Sequence, residues 1–206
     1  SLVLRLTHAV TARAVHGGQP FYYRSVASAG ALYPFELYLA VQRVSGLDPG
    51  VYHHDGLDQV LTVLRKEAIR PFPPVKPPVA ATVYLSAIYF RSAWKYRSRA
   101  YRYLLLDAGH LLENLRLALI TLGLSFSIDL DFDDHAVATL LGLDTQREVC
   151  LVGVQLFGDD RPPAPSDTAV RPCPLTGEIL AASTVSKREV SYPKMQAIHR
   201  AGLRIH

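Results

Sequence analysis

The stretch AYRYLLLDAGHLLENLRLALITL, residues 100–122, decides the fold. Leu104, Ala108, Leu111, Leu115, Ala118 and Leu122 recur at helical spacing. Leu105, Leu106, Leu112, Leu117, Leu119 and Ile120 occupy much of the remaining circumference. A helix apolar on most faces is buried on most faces, so it is expected to run through the core or into a partner subunit.

Working outward, VAATVYLSAIYF (79–90) is near-continuously apolar and reads as a strand buried on both faces. PFPPVKPP (71–78) before it is an extended connector. Further upstream, Glu36 to Val44 alternates as a strand, and Val51–His53 and Gln59–Leu64 pair across an Asp55-Gly56 turn. HGGQP (16–20) is a loop, and residues 1–12 read as a short helix, with a strand as the alternative. Downstream, Asp133 or Asp134 caps a helix at 135–141 that ends at Gly142. Glu148 to Phe157 is another strand, and the tail from Pro162 is proline-rich, then polar. Strands and helices are mixed, with a hairpin and few βαβ units, which favours α+β over a doubly wound sheet.

The totals exclude several classes of function. The 206 residues suit one main domain, here 1–162, with a C-terminal extension, 163–206. The net charge of +4, without a Lys/Arg run, argues against nucleic acid and suits a small anionic group. No unbroken apolar run reaches spanning length, no signal peptide opens the chain, and Cys150 and Cys173 are the sole cysteines. A cytoplasmic protein without a membrane span is expected. The first residues read as the middle of an amphipathic element, so a further N-terminal piece is also expected.

Metal ligation has little support: His53-His54 point to opposite strand faces, and the His110/Glu113 pair has no second pair to echo it. Neither a nucleophile elbow nor a phosphate-binding glycine loop occurs. Two stretches remain. In YYRSVASAGALYPFELYLAV (22–41), Ser28, Ala29 and Gly30 cluster before a strand with Arg24 nearby. Small residues there give up packing, which a flat ligand lying against the backbone would compensate. The other is RSAWKYRSRAYRY (91–103), a basic turn whose plain reading is a solvated lead-in to the long helix. Its sharper reading is a site in which Lys95 beside Tyr96 moves a proton, given enough desolvation.

Four segments together carry a resemblance: RSVASAGALYPFELYLAV, GLDPGVYHHD, WKYRSRAYRYLLLDAGHLLENLRLALITLGL and LLGLD followed by EVCLVGVQLFG. Over roughly residues 2 to 160 the chain resembles the SagB-type branch of the FMN-dependent nitroreductase family, which includes azoline dehydrogenases. The resemblance implies an α+β fold with a mostly antiparallel sheet flanked by helices, and a homodimer that holds FMN at an interface built on the long helix. It implies FMN contacts from Arg24, Ser28, Ala29 and Gly30, and from a backbone N–H at Leu124 or Ser125 in the turn 123–127. It assigns proton chemistry to Lys95 and Tyr96 while FMN takes a hydride from an azoline of a peptide. A small-molecule substrate is the other option.

Two departures accompany the resemblance. Ala27 stands where the family has Pro, and the family's N-terminal phosphate-binding arginine-serine motif has no counterpart before Ser1. Arg161 is the substitute phosphate ligand the sequence offers. The alternative function is a degenerate nitroreductase-fold scaffold that binds a partner without turnover. The tail SYPKMQAIHRAGLRIH resembles the link between halves of duplicated SagB-like proteins, so the chain is also read as one half of a longer protein.

Overall fold

The computed structural model describes residues 2–66, 78–158 and 188–204. Most of the proline connector, Arg161 and Cys173 lie outside the described residues. The chain opens with α1 (Leu2–His8) and a hairpin of β1 (Val10–His16) and β2 (Gln19–Arg24). Then follow β3 (Phe35–Val41), β4 (Gly50–Asp55), β5 (Val60–Arg65) and β6 (Val79–Ile88). The second half holds α2 (Tyr89–Tyr96), α3 (Ala100–Thr121), β7 (Phe126–Asp129), α4 (Asp134–Leu141), β8 (Glu148–Phe157) and α5 (Pro193–Ala201).

Six strands form one sheet in the order β5-β4-β3-β6-β8-β7, and every neighbouring pair is antiparallel. Alternation along β3 sends Leu37, Leu39 and Val41 to one face and Tyr38 and Ala40 to the other. On the first face they meet Leu104, Leu111, Leu115 and Leu119 of α3, all fully buried. Each such leucine contributes about 2 kcal/mol by leaving water. On the second face Val137, Leu140 and Leu141 of α4 pack with Val51 and Cys150. The α+β expectation is met: an antiparallel sheet between helices.

Three elements depart from the sequence reading. The all-round apolar surface of α3 is not all buried, because Leu105, Leu106, Leu117 and Ile120 are about half exposed in this chain. The apolar run 79–90 is not one strand; it breaks at Tyr89, so Lys95 and Tyr96 ride on a helix rather than on a turn. The tail contains α5, whose Met195 is buried in the main core. That segment is tied down by Arg147 Nε to Glu189 (2.7 Å) and by the Arg204 N–H to Asp134 (2.7 Å). The cap at Asp133 is as expected: its carboxylate accepts the Ala136 N–H, and Gly142 ends α4 in the left-handed region (φ 73°). No described helix is long and apolar enough to cross a membrane.

Candidate functional site

Between β2 and β3 the chain makes a tight lip of small residues. Ala29–Ala31 form one 3-10 turn in which Gly30 has φ 65°, and Ala31 (53°) and Tyr33 (44°) are also left-handed. Left-handed backbone at non-glycine residues costs roughly 1 kcal/mol or more each, so something must hold it. The holder is Asp107 on α3. Its carboxylate accepts the Ser28 hydroxyl (2.6 Å) and the Ala29 N–H (3.0 Å). Ser28 Oγ in turn accepts the Tyr33 N–H (3.0 Å), and the Tyr33 hydroxyl accepts the Arg24 N–H (3.2 Å).

The lip lies against α2. A Cβ added at Gly30 would fall 2.6 Å from Lys95 Nζ and 2.7 Å from Tyr96 Oη. Only a residue without a side chain lets these two polar ends reach the backbone there. Tyr96 also packs on Tyr103, with ring centroids 4.5 Å apart, and Lys95 Nζ stands 5.4 Å from the Tyr96 ring centre. Arg97 ends α2 at φ 53°. Lys95 is exposed in the single chain.

Behind the lip is a charged layer. Arg24 Nη1 lies 3.1 Å from Nε2 of the buried His8, and its guanidinium sits over the Tyr33 ring, 5.7 Å from the centre. Burial, then the Arg24 charge, lowers the His8 pKa to about 3. Glu36 on β3 is bonded by His53 (2.7 Å) and Arg91. Burial by itself would raise the Glu36 pKa, but His53 and Arg91 together lower it to about 2. Arg91 is on α2, one turn before Lys95, and Nη1 also donates to the Phe35 carbonyl (3.4 Å). Thus α2 is anchored to the start of β3 by charge.

Leu124 and Ser125 stand elsewhere. Gly123 (φ 66°) closes α3, and the Leu124 N–H donates to the Leu119 carbonyl (2.9 Å). The Ser125 carbonyl accepts the Phe157 N–H (2.9 Å). From Asp107, beneath the lip, to the end of α3 is about 20 Å at the rise of an α-helix. The chain therefore brings Ser28, Ala29, Gly30, Lys95 and Tyr96 together, with Arg24 behind them, and leaves Leu124 and Ser125 at the far end of α3. Asp107, Tyr33, Glu36 and Arg91 are the site residues that sequence reading missed. The available signal for Asp107 was a carboxylate on the apolar stripe between Leu104, Ala108 and Leu111. Among the described residues no group of three His, Cys, Asp or Glu side chains is placed to hold a metal ion.

Known proteins share this architecture. TfxB, the trifolitoxin-processing protein of Rhizobium leguminosarum bv. trifolii, is 32% identical over 133 residues, 59% of this chain and 36% of TfxB. McbC, the microcin B17-processing protein of Escherichia coli, is 32% identical over 149 residues, 66% of this chain and 54% of McbC. The chain thus spans about a third of one and about half of the other. A nitroreductase-type structure from Anabaena variabilis covers 100% of this chain with a TM-score of 0.73 at 24% identity, and the chain covers 42% of it. The Escherichia coli microcin synthetase McbBCD complex with truncated pro-MccB17 covers 77% of this chain at a TM-score of 0.63 and 22% identity; the chain covers 62% of the matched subunit. At those identities the two structures speak for the fold alone. The Nitroreductase family matches residues 5–158, from α1 to the end of β8 and through both the lip and Lys95–Tyr96, and the chain belongs to that family of oxidoreductases.

Proposed function

We propose that the chain is an FMN-dependent, SagB-type dehydrogenase that oxidises azoline rings of a modified peptide to azoles. The observation that carries this reading is the bare Gly30 backbone against Lys95 Nζ and Tyr96 Oη. It sets the proton-handling pair directly against a backbone position that carries no side chain of its own, an edge on which a planar ring can be laid. The relatives TfxB and McbC are named for processing of peptide products, which supports a peptide substrate.

Bound FMN would supply the acceptor for the hydride. The remaining work falls to the protein. Ser28, Ala29 and Gly30 shape the lip, and Arg24 stiffens its base through His8 and Tyr33. Lys95 and Tyr96 take the proton that leaves the azoline as the hydride departs, so ring oxidation balances as one hydride and one proton. A substrate lying over Lys95 would provide the desolvation that the chain alone does not. Arg24 and the Leu124–Ser125 turn complete the proposed cofactor set, the latter through the Ser125 N–H.

The site is read as shared by two copies. Leu124 and Ser125 lie too far along α3 to meet the same ring as Gly30 within one protomer, but a second copy packed on α3 can bring its own turn to the lip. The half-exposed Leu105, Leu106, Leu117 and Ile120 supply the apolar face for it.

The test is reconstitution of the full chain with FMN. The expected result is saturable, yellow flavin binding, with Lys95→Ala retaining FMN and losing azoline oxidation, read as the loss of two hydrogens in the peptide mass. Unchanged turnover by Lys95→Ala removes the proton assignment. A chain that takes up no FMN favours the second reading, a scaffold without turnover, whose support is that the Arg24 guanidinium is already engaged with His8 and Tyr33.

A further inference from the structure

We propose that Asp107 is the positioning residue of the lip: its carboxylate holds the Ser28–Tyr33 segment in the left-handed course that places Gly30 against Lys95 and Tyr96. The inference rests on the FMN reading for its effect on cofactor binding, and on the geometry alone for its effect on the lip.

Asp107 is 3% exposed and sits on the core stripe of α3 beside Leu104, Ala108 and Leu111. A buried carboxylate is costly unless it is paired or hydrogen-bonded. Among the described residues it forms no ion pair; it accepts hydrogen bonds from the Ser28 hydroxyl and from the Ala29 N–H, which reaches both oxygens (3.0 and 3.1 Å). Compensation for the buried charge therefore comes from the lip, and the lip is correspondingly fixed by the charge.

The direction of the bonds matters. Ser28 Oγ accepts the Tyr33 N–H, which leaves its own proton for Asp107. Both groups facing Asp107 are donors: Oδ2 accepts from the Ser28 hydroxyl and the Ala29 N–H, and Oδ1 from the Ala29 N–H, so both positions call for an acceptor oxygen. A carboxylate provides both. An amide of the same shape provides one, and turns an NH2 group on a donor. The segment held this way contains Gly30, Ala31 and Tyr33 at φ 65°, 53° and 44°, a course that relaxes when its anchor is lost.

The experiment compares wild type, Asp107→Asn, Ser28→Ala and the double variant by two readouts. The first is amide hydrogen exchange in the cofactor-free protein. Exchange across residues 28–33 is expected to rise about tenfold in Asp107→Asn, the loss of one charged hydrogen bond, while peptides from β3 and the C-terminal half of α3 stay unchanged. The second is the Kd for FMN, expected to weaken by about tenfold in each single variant and no further in the double, because both act through one relay. Unchanged exchange at 28–33 overturns the inference whether or not FMN binds. Multiplying effects in the double variant also overturn it. Should Asp107→Asn fail to fold, Ser28→Ala, which leaves the core intact, decides by the same two readouts. A wild type that binds no FMN, with the exchange difference present, overturns the FMN reading and leaves the lip assignment standing.

Discussion

Gly30 and Lys95 are complementary: the side chain that Gly30 lacks would occupy a point 2.6 Å from Lys95 Nζ. The two residues are 65 positions apart and belong to different layers, one on the loop before β3 and the other on α2. Their contact turns two separate sequence motifs into one place, and it can be tested by giving Gly30 a side chain.

Gly30→Ala is expected to fold, because Lys95 Nζ is the free end of a flexible chain and can swing away, while the Tyr96 hydroxyl, 2.7 Å from the same point, gives way with its ring. The left-handed backbone at φ 65° costs the variant roughly 1–2 kcal/mol, visible as a lower denaturation midpoint. Oxidation should fall to the level of Lys95→Ala, since the added methyl displaces the ammonium from the lip. Gly30→Ala with wild-type turnover would show that Lys95 does not work from this position.

The exposed leucines of α3 give a second prediction. Leu106 is 58% exposed, and Gly109, one turn on, faces open space. Leu106→Glu adds a charge to this face without touching the core, so the fold should persist. In sedimentation, wild type is expected as a dimer and Leu106→Glu as a monomer, with FMN affinity lost in parallel because the far turn no longer reaches the lip. A monomeric wild type that binds FMN would dismiss the shared site.

How far the sequence carried these conclusions depended on where the determining contacts lay. The buried stripe of α3, the Asp133 cap and β8 were legible because periodicity and capping are local. The break between α1 and β1 was not. It is made by Ser25, whose Oγ accepts the Ala9 N–H (3.1 Å) and whose own N–H donates to the Ala9 carbonyl (2.8 Å). The start of α2 was equally hidden: Ile88 offers no side-chain cap, and the Tyr89 N–H is held by the Arg147 carbonyl (2.9 Å) from the turn before β8. The candidate site residues Ser28 to Gly30 and Lys95–Tyr96 stood out by composition and resemblance. Their support did not, since Asp107 acts across the core from a position that reads as part of an apolar helix.

The charged layer behind the lip yields the last prediction. His8 is 2% exposed, and burial, with Arg24 adding to it, lowers its pKa from 6.5 to about 3. Between those values the unfolded chain holds a proton that the folded chain does not, so stability rises with pH there. Conversely, stability is lost as pH falls from about 6.5 towards 3, by up to about 1.4 kcal/mol per unit. His54, also lowered by burial, acts in the same direction. His53 acts oppositely: burial lowers its pKa, but the bond to Glu36 and the charges of Glu36, Glu148 and Asp55 together outweigh that and raise it, so its contribution is full below 6.5 and fades above. Glu148, raised chiefly by burial, likewise favours the lower pH. Glu36, lowered to about 2, changes stability only below about pH 4.5. The difference between wild type and His8→Gln isolates His8 from the rest. Urea unfolding from pH 7 down to pH 5 should show a shallower loss of stability in His8→Gln. Parallel curves for the two proteins would mean that His8 is not held neutral behind Arg24.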